Sequence, residues 1–367
     1  IINKKKIDQP IVLSVDQNIQ FIIRETLKQS INLFDASGAS SILLDAQSGK
    51  VISMISLPDY NPNNRKELIN KSNLFNKNTK GLYELGSIFK TFVIANALEK
   101  NIVTRDKVYK NLPKQVVCGK FPIKEYRYSA NKKNLTVNDI LVKSSNIGTI
   151  RIIQDSGLNS YRNFLENLEI FNSSKIELPE VSSSTKKRWG KCNTLTAGYG
   201  HGINTTPIQL TRAFASIING GNLLDISLLK NKDTKLKSKI ISEKNSEIMR
   251  KILRTNVDNN YSTGGSGRKA DIKGYNVMGK TGTAQKPHKL AKGYSNEILN
   301  IFTSAFEVKN KFYVLTVILD KPKGSKKLWG HNRREAGWNA GYINGQIIKK
   351  IGPILNTLKF NEYTKLN

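Results

Sequence analysis

Apolar positions recur along the chain in two spacings. Between Asp16 and Leu33 they fall at Ile19, Ile22, Ile23, Leu27 and Ile31, close to a helical period. Ser40–Leu44 and Lys50–Ile55 flank a Gln47-Ser48-Gly49 turn and predict a β-hairpin. Leu57 to Asn64 is rich in Pro and Asn and reads as a loop. Phe89 to Glu99 is mostly apolar, free of Gly and Pro, and predicts a helix that opens just after Ser87. Asn101 to Asn134 is Lys-rich, carries Gly119 and Pro122, and predicts irregular loops around a site. Thr136 is placed to N-cap a helix from Val137 to Ser144, and helices follow over Ile147–Gln154 and Leu158–Leu168. Leu178–Trp189 is polar and loop-like. Thr196–Gly202 is a Gly-rich turn that follows no clear strand, so it is not read as a phosphate loop. Thr206-Pro207 opens a helix to Ile218, with Pro at the first helical position.

The last third repeats the alternation. Ile241–Asn256 is an amphipathic helix and Thr263–Arg268 a Gly/Ser loop. Tyr275–Ala284 reads as a strand. Leu299–Val308 and Phe312–Asp320 form a second hairpin around Lys309-Asn310-Lys311. Ala340–Leu355 is mostly helical despite Gly345, Gly352 and Pro353. Strands near both ends with helices between them predict a mixed α/β fold of the α+β type: an antiparallel sheet flanked by helices, plus an all-helical lobe. The expected division is a linker over 1–10 and one domain over 11–356, with an α/β lobe (11–56 and 270–356), a helical lobe (57–269) and a tail over 357–367. A cleft between the lobes is where a site is expected.

Composition narrows the function classes. The 367 residues are 38% hydrophobic, enough for a sizeable core. The net charge is +31, but the basic residues are spread along the chain, Lys dominates Arg, and no Arg stripe with aromatics appears. That pattern argues against nucleic acid and for a solvated surface, with an anionic membrane or polymer as a lesser partner. No apolar run reaches a membrane span, and no signal peptide is visible. The chain opens on Ile1 and reads as a fragment or a processed chain. Cys118, Cys192 and the three His lack metal-ligand spacing; a disulfide in an oxidising compartment is left open.

Three short stretches carry chemistry. Ser87-Ile88-Phe89-Lys90 puts a hydroxyl and an amine on one face of a helix start. An unprotonated Lys90 beside Ser87 is a base beside a nucleophile, and burial with another cation nearby would favour the neutral amine. Lys143-Ser144-Ser145-Asn146 follows 57 residues later (Ser87 to Ser144), and Lys280-Thr281-Gly282-Thr283 follows 136 residues after Ser144. Ser144 is a proton relay between lysines and a leaving amine, and Asn146 holds Lys90 or a substrate amide. Lys280, Thr281 and Thr283 would take a substrate carboxylate. Gly282 leaves room for a substrate backbone along the strand. The backbone N–H groups of Ser87 and Thr283 are the expected oxyanion hole. Each motif alone is weak, a cap or a solvated charge; all three in order are a strong joint signal.

This ordered set resembles penicillin-binding proteins and class A β-lactamases, and is most similar to the transpeptidase domain of class B penicillin-binding proteins, division type, over Ile11–Gly352. Pro58-Asp59-Tyr60-Asn61-Pro62-Asn63, Gly198-Tyr199-Gly200-His201-Gly202 and Thr206-Pro207-Ile208-Gln209-Leu210 add to the likeness, and Asn146 favours the division over the elongation type. The resemblance implies a septal peptidoglycan D,D-transpeptidase. It would acylate Ser87 with stem peptides ending in D-Ala-D-Ala, release D-Ala and cross-link to a neighbouring amine; β-lactams would acylate the same serine. It implies no metal or organic cofactor. It further implies an N-terminal membrane anchor and pedestal preceding the 1–10 linker, a periplasmic domain at the inner membrane, and a septal glycosyltransferase and other division proteins as partners. The alternatives are a D,D-carboxypeptidase, a β-lactamase, which needs a second base to activate water for deacylation, and a non-enzymatic basic module or degenerate sensor that merely binds β-lactam; against the β-lactamase, class A enzymes carry Asp where the Ser-x-Asn motif here has Ser145. Two stretches depart from the family: Leu85 stands where Pro usually precedes Gly86, and Glu335–Gly341 lacks its usual Pro.

Overall fold

The computed structural model describes residues 10–64, 66, 73–119, 121–126, 132–184, 189–262, 264–288 and 293–358. The expected linker up to residue 9, the expected tail from 359 onward, residue 263 of the Gly/Ser loop and 185–188 of the polar stretch lie outside the described residues.

The chain begins with α1 (Gln17–Leu33), β1 (Gly38–Asp45) and β2 (Val51–Leu57). A long connection leads to α2 (Phe89–Glu99), β3 (Val108–Tyr109), β4 (Gln115–Cys118), β5 (Phe121–Lys124) and β6 (Leu135–Thr136). Four helices come next: α3 (Val137–Val142), α4 (Asn146–Ser156), α5 (Leu158–Asn167) and α6 (Lys191–Ala197). Then come α7 (Pro207–Ile218), β7 (Asn222–Leu224), β8 (Leu236–Lys239) and α8 (Glu243–Val257). The chain closes with β9 (Met278–Pro287), β10 (Tyr294–Val308), β11 (Lys311–Asp320), α9 (Lys326–Trp329) and α10 (Ala340–Thr357).

The central sheet has the order β2-β1-β11-β10-β9, and every neighbouring pair is antiparallel. Strand alternation sends adjacent residues to opposite faces. Ile42, Leu44, Ile301 and Val314 enter one core, while Leu43, Phe302 and Leu315 enter the other. The second core is closed by α1 and α10 through Ile19, Ile23, Ile347 and Ile351. The first is closed by α7, with Phe214, and runs without a break into the helical region. Both faces are covered, so β1 is buried along its whole length. The expected mixed α/β arrangement of an antiparallel sheet flanked by helices is what the structure has.

Helix α2 lies inside the first core, and every residue from Phe89 to Leu98 is buried. A helix apolar on all sides has no surface face to present. Each large side chain here contributes about 1.5–3 kcal/mol by leaving water. Lys90, fully buried among them, is the exception that the site has to explain.

The predicted caps are in place. Thr136 accepts from the Asp139 N–H and Thr206 from the Gln209 N–H, with Pro207 opening α7. Between β10 and β11 the central residues Lys309 and Asn310 have φ of 50° and 60°, the left-handed pair that a two-residue hairpin needs. Boundaries moved elsewhere. The strand expected from Tyr275 starts at Met278, after Asn276 with φ of 43°, and runs on to Pro287. β10 begins at Tyr294 rather than Leu299. α8 begins at Glu243 because Ser242 accepts from the Asn245 N–H and caps it.

The larger correction concerns Asn101–Asn134, expected as irregular loops. It contains β3 and the β4–β5 hairpin. These strands are only two to four residues long and largely exposed, so they leave no run of alternating apolar residues to read. The hairpin is fastened to α6 by a disulfide between Cys118 and Cys192, which closes a separation of 74 residues. A loop of that length constrains the unfolded chain by about 4 kcal/mol. Replacing both cysteines by serine should therefore lower unfolding stability by up to about 4 kcal/mol in urea titrations, and reductant should shift the wild type but not the double variant.

Candidate active site

Ser87 sits in a single 3₁₀ turn, Gly86–Ile88, that runs directly into α2. Gly86 makes this turn feasible: its φ is +59°, and a Cβ there would lie 2.8 Å from the Thr283 carbonyl oxygen and 3.0 Å from the Thr283 nitrogen. The Ser87 turn is thus laid backbone to backbone on β9. The two N–H groups expected to form an oxyanion hole, those of Ser87 and Thr283, belong to these touching segments. A cavity of about 300 Å³ opens here, lined by Ser87, Ser144, Asn146, Thr281 and Thr283.

Beneath this cavity Lys90 donates to the Ser144 carbonyl at 2.5 Å, the Ser144 Oγ at 3.1 Å and the Asn146 Oδ1 at 2.7 Å. From the opposite side the equally buried Lys280 donates to the same Ser144 Oγ at 3.1 Å, and to its neighbour's Thr281 carbonyl at 3.2 Å. One hydroxyl oxygen therefore serves two lysines that are 190 residues apart in the chain. Its two lone pairs are engaged by N–H donors, which leaves the hydroxyl proton for a third partner. All three motifs converge on the cavity. Thr281 Oγ1 lies 2.7 Å from Ser266 Oγ, and Ser266 is itself held by Asn256. Gly282 also serves packing within the chain. A Cβ there would meet the Leu85 carbonyl at 2.3 Å, so the space it keeps is filled by this chain and not by the cleft.

Ser144 ends α3 in a left-handed conformation, with φ of 58°. Its N–H donates to Leu141 and the Ser145 N–H to Ile140, the paired bonds of a Schellman ending. Glycine is the usual residue there, and a serine costs about 1–2 kcal/mol. Ser145 then caps α4, and Asn146 is its first residue, on the turn between helices where it was expected.

Residues that the sequence did not single out complete the walls. Glu84 accepts from the Gly202 N–H at 2.9 Å and the Tyr294 hydroxyl at 2.8 Å, and faces His201 Nδ1 at 3.5 Å. Burial, and then the Glu84 charge, push the Tyr199 phenol up to about 12. Burial and the hydrogen bond to Glu84 raise Tyr294 further, so both phenols stay protonated at neutral pH. Glu125 binds the start of α4 through Ser145 and Asn146. It is the single acid between Asp106 and Asp139, a signal that was available in a Lys-rich stretch. The two departures from the family pattern are absorbed locally: Leu85 is fully buried, and Asn339 caps α10 through the Ala340 N–H.

A Ser-x-x-Lys helix, a Ser-x-Asn turn and a Lys-Thr-Gly edge strand meeting at one cavity define the penicillin-recognising serine class. A family model described as the penicillin binding protein transpeptidase domain matches residues 39–337, and the chain belongs to that family. A peptidoglycan D,D-transpeptidase FtsI of Buchnera aphidicola (subspecies Baizongia pistaciae) is 32% identical over 328 residues, 87% of this chain and 56% of that protein. A probable FtsI of Caulobacter vibrioides is 28% identical over 361 residues, 96% of this chain and 60% of that protein. The chain thus spans well under two thirds of these curated relatives. In fold it is similar to the transpeptidase domain of Burkholderia pseudomallei penicillin-binding protein 3, with a TM-score of 0.79, 24% identity, and coverage of 94% of this chain and 97% of that one. The apo penicillin-binding protein 3 of Mycobacterium tuberculosis gives 0.83 at 23% identity, covering 95% and 80%.

Because a Cβ at position 86 meets backbone and not a movable side chain, Gly86→Ala should destabilise the fold by about 1–3 kcal/mol in denaturant titrations. The variant should also slow reaction at Ser87.

Proposed function

We propose that this chain is the catalytic domain of a peptidoglycan D,D-transpeptidase acting in septal wall synthesis, and that it also binds penicillin covalently at Ser87. The observation that carries this reading is the Ser144 hydroxyl shared by Lys90 and Lys280 beside Ser87. The names of the relatives, peptidoglycan D,D-transpeptidase FtsI, support the substrate and the division role.

In the proposed reaction Lys90 acts in its unprotonated form, which gives up one of the three bonds it donates here, and takes the proton of Ser87 as Oγ attacks the carbonyl carbon of the penultimate D-Ala. The oxyanion that forms is met by the N–H groups of Ser87 and Thr283. Lys280, Thr281 and Thr283 hold the terminal carboxylate. The C–N bond then breaks, and the Ser144 hydroxyl passes a proton to the leaving D-Ala amine, regaining one from the Lys90 ammonium. The amine of a neighbouring stem peptide attacks the ester, Ser87 leaves with a proton, and the cross-link is made. In a β-lactam the C–N bond lies in the ring, so the leaving amine stays tethered and the ester persists.

Hydrolysis is the second reading. Rapid turnover of a β-lactam needs a base that activates water. Among the described residues lining the cavity the carboxylate is Glu84, whose Oε1 accepts from Gly202 and Tyr294 while Oε2 faces His201 Nδ1 at 3.5 Å. Slow deacylation follows. The proposed location is the periplasmic face of the inner membrane; the Cys118–Cys192 disulfide supports an oxidising compartment outside the reducing cytosol. No helix among the described residues is long and apolar enough to cross a membrane. A septal glycosyltransferase and other division proteins are the proposed partners.

Intact mass spectrometry after exposure to benzylpenicillin should show one adduct, located at Ser87 and lost in Ser87→Ala. Labelling that persists in that variant, or rapid multiple turnover, would defeat the proposal. With a D-Ala-D-Ala donor and an amine acceptor, the expected product is the cross-linked dimer. Exclusive release of a shortened donor would favour a carboxypeptidase.

A further inference from the structure

One carboxylate outside the proposed mechanism is aimed at the Ser-x-Asn turn. Glu125 lies directly after β5, partly buried. Its Oε1 accepts from the Ser145 hydroxyl at 2.6 Å and the Ile147 N–H at 3.1 Å, and its Oε2 accepts from the Asn146 N–H at 2.6 Å. These donors are the cap and first turn of α4, where free N–H groups and the helix dipole favour a negative charge. Hydrogen bonds to a charged acceptor are also about twice as strong as neutral ones. One residue earlier, the Lys124 carbonyl accepts from Asn146 Nδ2 at 2.9 Å. That contact decides which end of the amide faces the site: with Nδ2 on Lys124, Oδ1 points at Lys90.

We propose that Glu125 is a positioning residue for acyl transfer, gripping the first turn of α4 so that Ser144 and Asn146 are presented to Lys90. The inference rests on the acyl-transfer reading above for the step it affects. Ser144 holds a left-handed backbone conformation that serine does not choose on its own. Such a conformation persists only where its surroundings over-determine it. From the α3 side, two backbone hydrogen bonds hold it. From the α4 side, the Glu125 carboxylate holds the three residues that follow. The carboxylate is itself mounted on a braced element, because the β4–β5 hairpin is bonded to α6 through Cys118 and Cys192. Loosening this grip would shift the Ser144 hydroxyl and Asn146 Oδ1 away from Lys90 without unmaking the cavity.

Glu125→Gln is the discriminating variant. It keeps size and shape, but its NH₂ must face one of the N–H donors now on the carboxylate, donor against donor. Rapid-mixing kinetics with a fluorescent penicillin separate the dissociation constant of the initial complex from the acylation rate constant. For the Gln variant the rate constant should fall roughly 10- to 100-fold, the cost of a small misplacement of reacting groups. The dissociation constant should stay within about threefold, with complete labelling at the endpoint and a near wild-type melting curve. Glu125→Asp, which retains both oxygens and the charge, should recover most of the rate. A folded Gln variant that acylates at the wild-type rate overturns the proposal, as does an Asp variant as slow as Gln. If the Gln variant does not fold, Ser145→Ala removes one of the three donors and should lower the rate constant several-fold; an unchanged rate there overturns the proposal equally. Failure of the acyl-transfer reading looks different: Ser87→Ala would still be labelled.

Discussion

Two buried lysines sharing one serine hydroxyl are the constraint to which the rest of the molecule answers. An ammonium group taken out of water is expensive unless its donors are matched. Lys90 and Lys280 come from a core helix and a sheet strand, and Ser144 from the turn between two helices. Their convergence requires α2 to be threaded through the helical core, β9 to pass alongside it, and the α3–α4 junction to bend sharply between them. The left-handed serine and the absent side chain at position 86 are local costs of that meeting. The apolar surface buried on either side of the sheet is what offsets them.

The site has two shells of different character. The inner one is made of hydroxyls and amines that a proton can cross. The outer one is made of carboxylates, Glu125 and Glu84, each accepting several donors and holding a segment of backbone. Glu125 is spent on the start of α4, while Glu84 lines the same cavity as Ser87 and takes the Gly202 N–H and the Tyr294 hydroxyl on one oxygen.

Much of this was legible in the amino-acid order, and the limit was physical. Elements whose signals are local were readable: Thr136 and Thr206 as caps, Pro207 at a helix start, the apolar run of α2, the Lys309-Asn310 turn. The convergence of Ser87, Ser144 and Lys280 was readable because three motifs repeat a known order. The β4–β5 hairpin was not, because strands of four residues with exposed faces carry no period. Glu125 acts through one hairpin end and one helix start, a juxtaposition set by tertiary packing and the Cys118–Cys192 bond. Gly282 shows a related limit: a missing side chain says that something comes close, and here the Leu85 carbonyl does, but the order of residues does not say which neighbour it is.

The placement of α2 carries a last implication. A helix with no solvent-facing side exposes its amides only when the surrounding core opens, so Ser87 adjoins one of the least yielding parts of the molecule. Sequence change can then draw little on that helix, where a change in volume is felt throughout the packing. Substitution has its freer ground in the rim of the cavity, among Tyr199, His201, Tyr294 and Arg334, where it reshapes access while the buried groups stay where they are.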